Sequence, residues 1–171
     1  MTNETSATAD ASGTAMSGSL ARVARALEAA GMDAEVRHFD ESTRTAADAA
    51  AALGVHQAQI AKTLVFLADG EPMVVVMGGD DRVDTAALGT VLNGAMIGRA
   101  DADAVRRGTG FAIGGVSPAG LPGGLTVLVD RSLSDIGEIW AAAGTPTSVY
   151  RTSFTELLMV TRGREVSVAQ Q

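Results

Sequence analysis

The chain has no cysteine, so disulfide staples, thiolate nucleophiles and cysteine-ligated metals are all excluded. Only 4% of its residues are aromatic, and a core must therefore be assembled from Ala, Val, Leu, Ile and Met. Two histidines, His38 and His56, are too few for a zinc site without carboxylate help. His38 lies in a strand-like run and His56 follows a helix end, and both read as structural or surface residues rather than catalytic ones. No apolar run approaches the ~18 residues of a membrane span. A basic segment followed by an apolar one is missing from the N-terminus, so no secretory signal is expected and the cytoplasm is the default location. The G-x-S-x-G, H-E-x-x-H and Walker lysine patterns are absent too.

Positive charge is scarce and lopsided. A net charge of -7 argues against broad DNA or RNA binding, which requires many phosphates to be neutralised, so any RNA contact must be local. Of the 13 basic residues, all are arginine except Lys62.

What is present fits one domain with a single sizeable core in 171 residues. Residues 1–18 lack periodicity and read as a disordered tail, leaving 19–169 as the folded unit. Leu20, Val23, Ala24 and Leu27 recur with helical spacing, and Gly31 supplies the stop. A strand is expected around 34–39 and an Ala-rich helix from Thr45 to Leu53, ended by Gly54. Two strands, 60–67 and 73–77, flank an Asp69-Gly70 hairpin turn. Asp84 and Asp101 are placed to cap helices to about Val91 and Arg107, the second ended by Gly108. Strands are expected at 95–99 and 125–130, then a hairpin of 139–143 with 148–151. Ser153 and Glu156 have capping-box spacing for a last helix to about Thr161. Together these predict a mixed α/β (α+β) fold, a barrel-like mixed β-sheet with surrounding helices.

Two segments carry chemistry. Alternation along Ile60-Ala61-Lys62-Thr63-Leu64-Val65-Phe66 puts Lys62 on one face with Leu64 and Phe66. Two readings stay open: a snorkelling edge charge, or a cation at the mouth of an apolar cavity. The absence of any other lysine favours the second, because arginine would serve equally as an edge charge. The second segment is Gly110-Phe111-Ala112-Ile113-Gly114-Gly115-Val116-Ser117-Pro118. Its paired glycines allow close backbone approach to a ligand, with amides able to polarise a carbonyl, or else mark a tight bend. Ser117 has no identifiable base to make it a nucleophile.

In that order and spacing, the two segments resemble the YbaK/EbsC family, related to the editing domain inserted in bacterial prolyl-tRNA synthetase. The strand ending at Asp130 and the stretch Ile139–Pro146 add to the resemblance, which covers about 19–168. It implies a compact mixed fold and hydrolysis of the ester on a mischarged tRNA, typically tRNA for proline carrying Cys, Ala or a similar small residue. The family's essential lysine falls on Lys62, and its G-x-x-x-P loop on Gly114 and Pro118. Metals, cofactors and covalent nucleophiles are not part of the family's chemistry. Lysine anchors the substrate end, and loop backbone around Gly114 and Gly115 positions the ester. Phe39, Thr63, Phe66, Ile113, Val116, Ser117 and Pro118 would shape the substrate pocket. Arg99, Arg106 and Arg107 read either as a small phosphate patch or as a solvated helix face. Mischarged tRNA is the implied partner, with prolyl-tRNA synthetase a second; DNA and membranes are not. Two departures bear on the amino acid: Phe39 falls where Cys-specific members have an aromatic hydroxyl, and Thr63 where the alanine-specific type has Asn. A non-catalytic module binding an amino-acid-like ligand or a synthetase, and an esterase unrelated to tRNA, are the competing readings.

Overall fold

The computed structural model describes residues 11–43 and 45–171, with side chains from Ser19 onward. Its elements are α1 (Ala11–Ala29), β1 (Val36–His38), α2 (Ala46–Leu53), β2 (Ile60–Ala68), β3 (Glu71–Gly78), α3 (Thr85–Val91), β4 (Ile97–Arg99), α4 (Ala102–Thr109), β5 (Thr126–Asp130), β6 (Ile139–Ala142), β7 (Ser148–Thr152), α5 (Phe154–Thr161) and β8 (Arg164–Val166).

The eight strands form one mixed sheet in the order β1-β7-β6-β2-β3-β5-β8, with β4 added beside β2. β2 and β3 pair antiparallel through the two-residue turn Asp69-Gly70, where φ is 49° and 82°. Both positive angles match the twist of a primed hairpin turn. β3 is covered on both faces, which explains its unbroken apolar run. Val74 and Val76 point into a core with Val23 and Leu27 of α1, Val105 of α4 and Leu157 of α5. Met73 and Val75 point the other way, against Leu88 of α3 and Val166 of β8. A third, smaller cluster seats Ala49 and Ala50 of α2 on Ile60, Trp140 and Val149. No helix among the described residues is long and apolar enough to cross a membrane.

Local signals set most boundaries. Thr45 and Asp48 form a reciprocal capping box at α2, and Gly54 closes it in the left-handed conformation. Asp84, Asp101 and Ser153 each accept backbone N–H groups at the starts of α3, α4 and α5.

Three boundaries differ from expectation. α1 begins at Ala11, inside the stretch assigned to a tail, while residues 1–10 lie outside the described residues. Ala11 and Ala15 are strong helix formers and need no apolar stripe to extend a helix already started. α4 runs through Gly108 and ends at Gly110, with φ 76°. Gly108 instead serves packing: a Cβ there would lie 2.5 Å from the Pro72 side chain. β8 was not expected, because a three-residue strand with exposed Arg164 and Glu165 carries too little alternation to read.

Candidate active site

The site begins with an interruption in strand pairing. β3 covers β2 along one edge from Ala61 to Ala68. On the other edge, β6 pairs in parallel with Ile60 and Ala61 only, and β4 pairs antiparallel with Phe66 to Ala68 only. Among the described residues, no strand lies beside Lys62–Val65 there. A cavity of about 530 Å³ opens at this gap, lined by every residue from Ile60 to Phe66. That volume is in the ordinary range for small-molecule sites, ~300–1,000 Å³.

Lys62 is half-buried at the cavity and its Nζ donates to the backbone carbonyl of Asp81. Burial pushes its pKa below the ordinary 10.5, Asp81 and Asp80 oppose that shift, and Arg82 adds to it. The receiving turn is itself braced. Asp81 N–H donates to Gly78 O at 3.1 Å, and Gly78 N–H donates to Ser132 Oγ at 3.1 Å. Ser132 N–H and Val168 N–H both donate to the buried Asp130 carboxylate, at 2.8 and 2.7 Å. A Cβ on Gly78 would sit 2.8 Å from Asp81 Oδ2, so a side chain here would displace the Asp81 carboxylate.

The glycine loop enters from the other side. Arg22 stacks its guanidinium 4.5 Å from the Phe111 ring and donates to Thr109 O at 2.8 Å, tying the loop to α1. Gly114 stands exposed at the tip with φ 86° and open space around it. Among the described residues its N–H donates to no acceptor. Gly115 is buried; its N–H donates to Ala112 O at 3.0 Å, and a Cβ on it would lie 3.3 Å from Gly144 O.

Of the residues singled out in the sequence, Lys62, Thr63, Phe66, Arg99, Ile113, Gly114 and Val116 meet at this cavity. Gly115, Ser117 and Pro118 are buried behind the tip rather than on the cavity wall, and Ser117 Oγ accepts from Ala119 N–H at 3.1 Å. Phe39 does not line the cavity itself but packs on the cluster of Ala49, Ala50, Ile60, Trp140 and Val149, all but Ala50 of which do. Arg106 and Arg107 are exposed on α4 and do not line the cavity. His38 and His56 are exposed elsewhere. The sequence reading missed a hydroxyl-bearing wall of Thr43, Thr45, Thr145 and Ser148. Thr145 Oγ1 and Ser148 Oγ lie 2.6 Å apart. Only the position of the Ile139–Pro146 stretch in the resemblance pointed toward it.

The chain has relatives in sequence and in fold. The model of the aminoacyl-tRNA editing domain family matches residues 40–159. A proline–tRNA ligase of Geobacter sp. (strain M21) is 35% identical over 122 residues, covering 71% of this chain and 20% of the ligase. That of Streptococcus sanguinis (strain SK36) is 33% identical over 93 residues, covering 54% and 15%. The chain therefore spans a fifth or less of the length of these two curated relatives. A solved structure described as a candidate trans-editing enzyme for prolyl tRNA synthetase superposes with TM-score 0.82 and 36% identity, covering 90% of this chain and 98% of that one. Another, from work on grafting epitopes onto scaffold proteins, gives TM-score 0.84 and 35% identity over 91% and 99%. The chain belongs to the aminoacyl-tRNA editing domain family, and its fold is that of the YbaK-like editing proteins.

Proposed function

We propose that the chain is a trans-editing deacylase that hydrolyses the ester of a mischarged tRNA, namely tRNA for proline carrying a small wrong amino acid such as Cys, Ala or Ser. The supporting observation is the meeting of Lys62 and Gly114 at one cavity in a chain of this family. In this reading residues 19–169 form the editing unit, which works beside prolyl-tRNA synthetase in the cytoplasm.

Lys62 acts as an electrostatic anchor, not a nucleophile. Its Nζ is fixed by a backbone carbonyl with carboxylates beside it, a setting that holds a cation in place. It draws the anionic tRNA end to the cavity, with Arg99 at the rim adding a second positive charge. The Gly114 amide supplies a donor for the ester. Water adds to the carbonyl carbon, the bond to the ribose oxygen breaks, and the water proton passes to that oxygen. An aminoacyl ester is already reactive, so positioning and charge stabilisation suffice to accelerate this step.

The decisive experiment charges tRNA for proline with Ala, Cys, Ser and Pro and follows release of each amino acid. Lys62→Ala should lower kcat/KM on the preferred substrate by about a hundredfold or more while the circular dichroism spectrum is retained. Wild-type rates in that variant would remove Lys62 from the mechanism. No release of any amino acid by the unaltered protein would replace catalysis with simple binding.

A further inference from the structure

Thr63 stands at the centre of the unpaired stretch of β2, between the end of the β6 pairing at Ala61 and the start of the β4 pairing at Phe66. The direction of its backbone groups follows from the ladder. Ala68 and Glu71 flank the two-residue turn, so the even-numbered residues of β2 direct their N–H and C=O toward β3. The odd-numbered ones address the opposite edge, as the bond from Asp69 N–H to Met96 O at 2.9 Å confirms. Continuing the alternation, Thr63 N–H and C=O both face the gap, and among the described residues neither has a hydrogen-bond partner. Its side-chain Oγ1 is buried and also without a partner. One residue thus presents a backbone donor and a backbone acceptor to the gap, with its buried hydroxyl behind them.

The gap is too short for a partner strand, whose usual length is ~5–6 residues, and β6 and β4 close it at both ends. It does suit a single residue. An aminoacyl ester carries an amine and a carbonyl on either side of one Cα, as a residue in a strand does. Among the described residues the cavity lining contains Lys62 and Arg99 but no Asp or Glu, so the acceptors it offers a substrate amine are neutral.

Building on the deacylase reading, we propose that the esterified amino acid pairs with the open β2 edge as one residue of a missing strand: its α-amine donates to Thr63 C=O, and its ester carbonyl accepts from Thr63 N–H. The same contact that recognises a free α-amino group then polarises the carbonyl to be attacked. The site is therefore selective for aminoacyl esters over N-blocked or α-hydroxyacyl esters, whatever the side chain.

The test compares alanyl-tRNA, N-acetylalanyl-tRNA and lactyl-tRNA, each rate divided by its uncatalysed hydrolysis so that intrinsic reactivity cancels. The blocked and hydroxy esters should lose about tenfold or more in normalised kcat/KM, the worth of a hydrogen bond to a charged group. In parallel, 3′-alanylamino-3′-deoxyadenosine, which cannot be hydrolysed, should shift the Thr63 amide resonance. Equal normalised rates on the three esters, or an unmoved Thr63 amide with the analogue bound, would overturn the pairing. A shifted Thr63 amide in a protein that cleaves none of the esters would instead sink the deacylase reading and leave the pairing standing.

Discussion

Tyr150 shows how a single atom can run against its surroundings. The side chain is fully buried in the main core, yet its hydroxyl has no hydrogen-bond partner. Burial, with Glu156 adding to it, raises the phenol's pKa far above the ordinary 10.0. The unfolded chain releases this proton near pH 10 while the folded chain keeps it. Stability from the neutral phenol is therefore complete below pH 10 and falls as pH rises beyond it. Tyr150→Phe should leave stability at pH 7 unchanged or raise it by about 1 kcal/mol, since the unmatched hydroxyl is lost and the ring kept. It should also soften the alkaline fall, measured by urea denaturation at pH 7 and pH 10.5. None of this was legible in the sequence, where Tyr150 was one strand residue among several. Lys62 was legible, because being the sole lysine is a property of the string itself. Alternation could not say whether its charge met solvent or a cavity. The turn at Asp81 that receives it is set by the separate chain segment holding Asp130 and Ser132.

Among the elements, the turn between β6 and β7 joins the site to the core. Gly144 has φ 101°, and a Cβ there would lie 2.9 Å from Ser19 O of α1 and 3.1 Å from Val23. Gly144→Ala would combine left-handed strain of ~1–2 kcal/mol with overpacking of ~1–3 kcal/mol. The expected loss is about 2 kcal/mol or more, read as a drop in Tm, with weaker deacylation because Thr145 and Ser148 move with the turn. Gly115→Ala, whose Cβ would meet the same turn at 3.3 Å, serves as the milder comparison. Helix caps and the Asp69-Gly70 hairpin were readable because each is decided within a few residues. The interruption of β2 was not. It depends on where β6 stops and β4 starts, and those strands lie about 30 to 80 residues away in the chain.

At the scale of the whole molecule, a net charge of -7 must coexist with the RNA substrate proposed above. Among the described residues the cations lining the cavity are Lys62 and Arg99, so these two can neutralise few phosphates there. With a slope of about -0.7 per phosphate on a single strand, log(kcat/KM) against log[salt] should fall with a slope no steeper than about -2. Arg99→Ala should flatten it and weaken all mischarged tRNAs alike, since a phosphate contact carries no information about the amino acid. A steep slope would place a larger basic surface, such as Arg106 and Arg107, in the complex.

The sequence by itself determined the order of the elements from α1 to α5, most of the caps and the Asp69-Gly70 turn, all of which rest on local spacing or residue type. The pairing of one lysine with one glycine loop came from the family resemblance. Only the tertiary structure decided that Lys62 lies at a cavity, that Gly114 reaches it while Gly115 is spent on packing, and that Thr63 is left unpaired. Those outcomes depend on contacts between segments far apart in the chain, and no local pattern records which strand ends beside which.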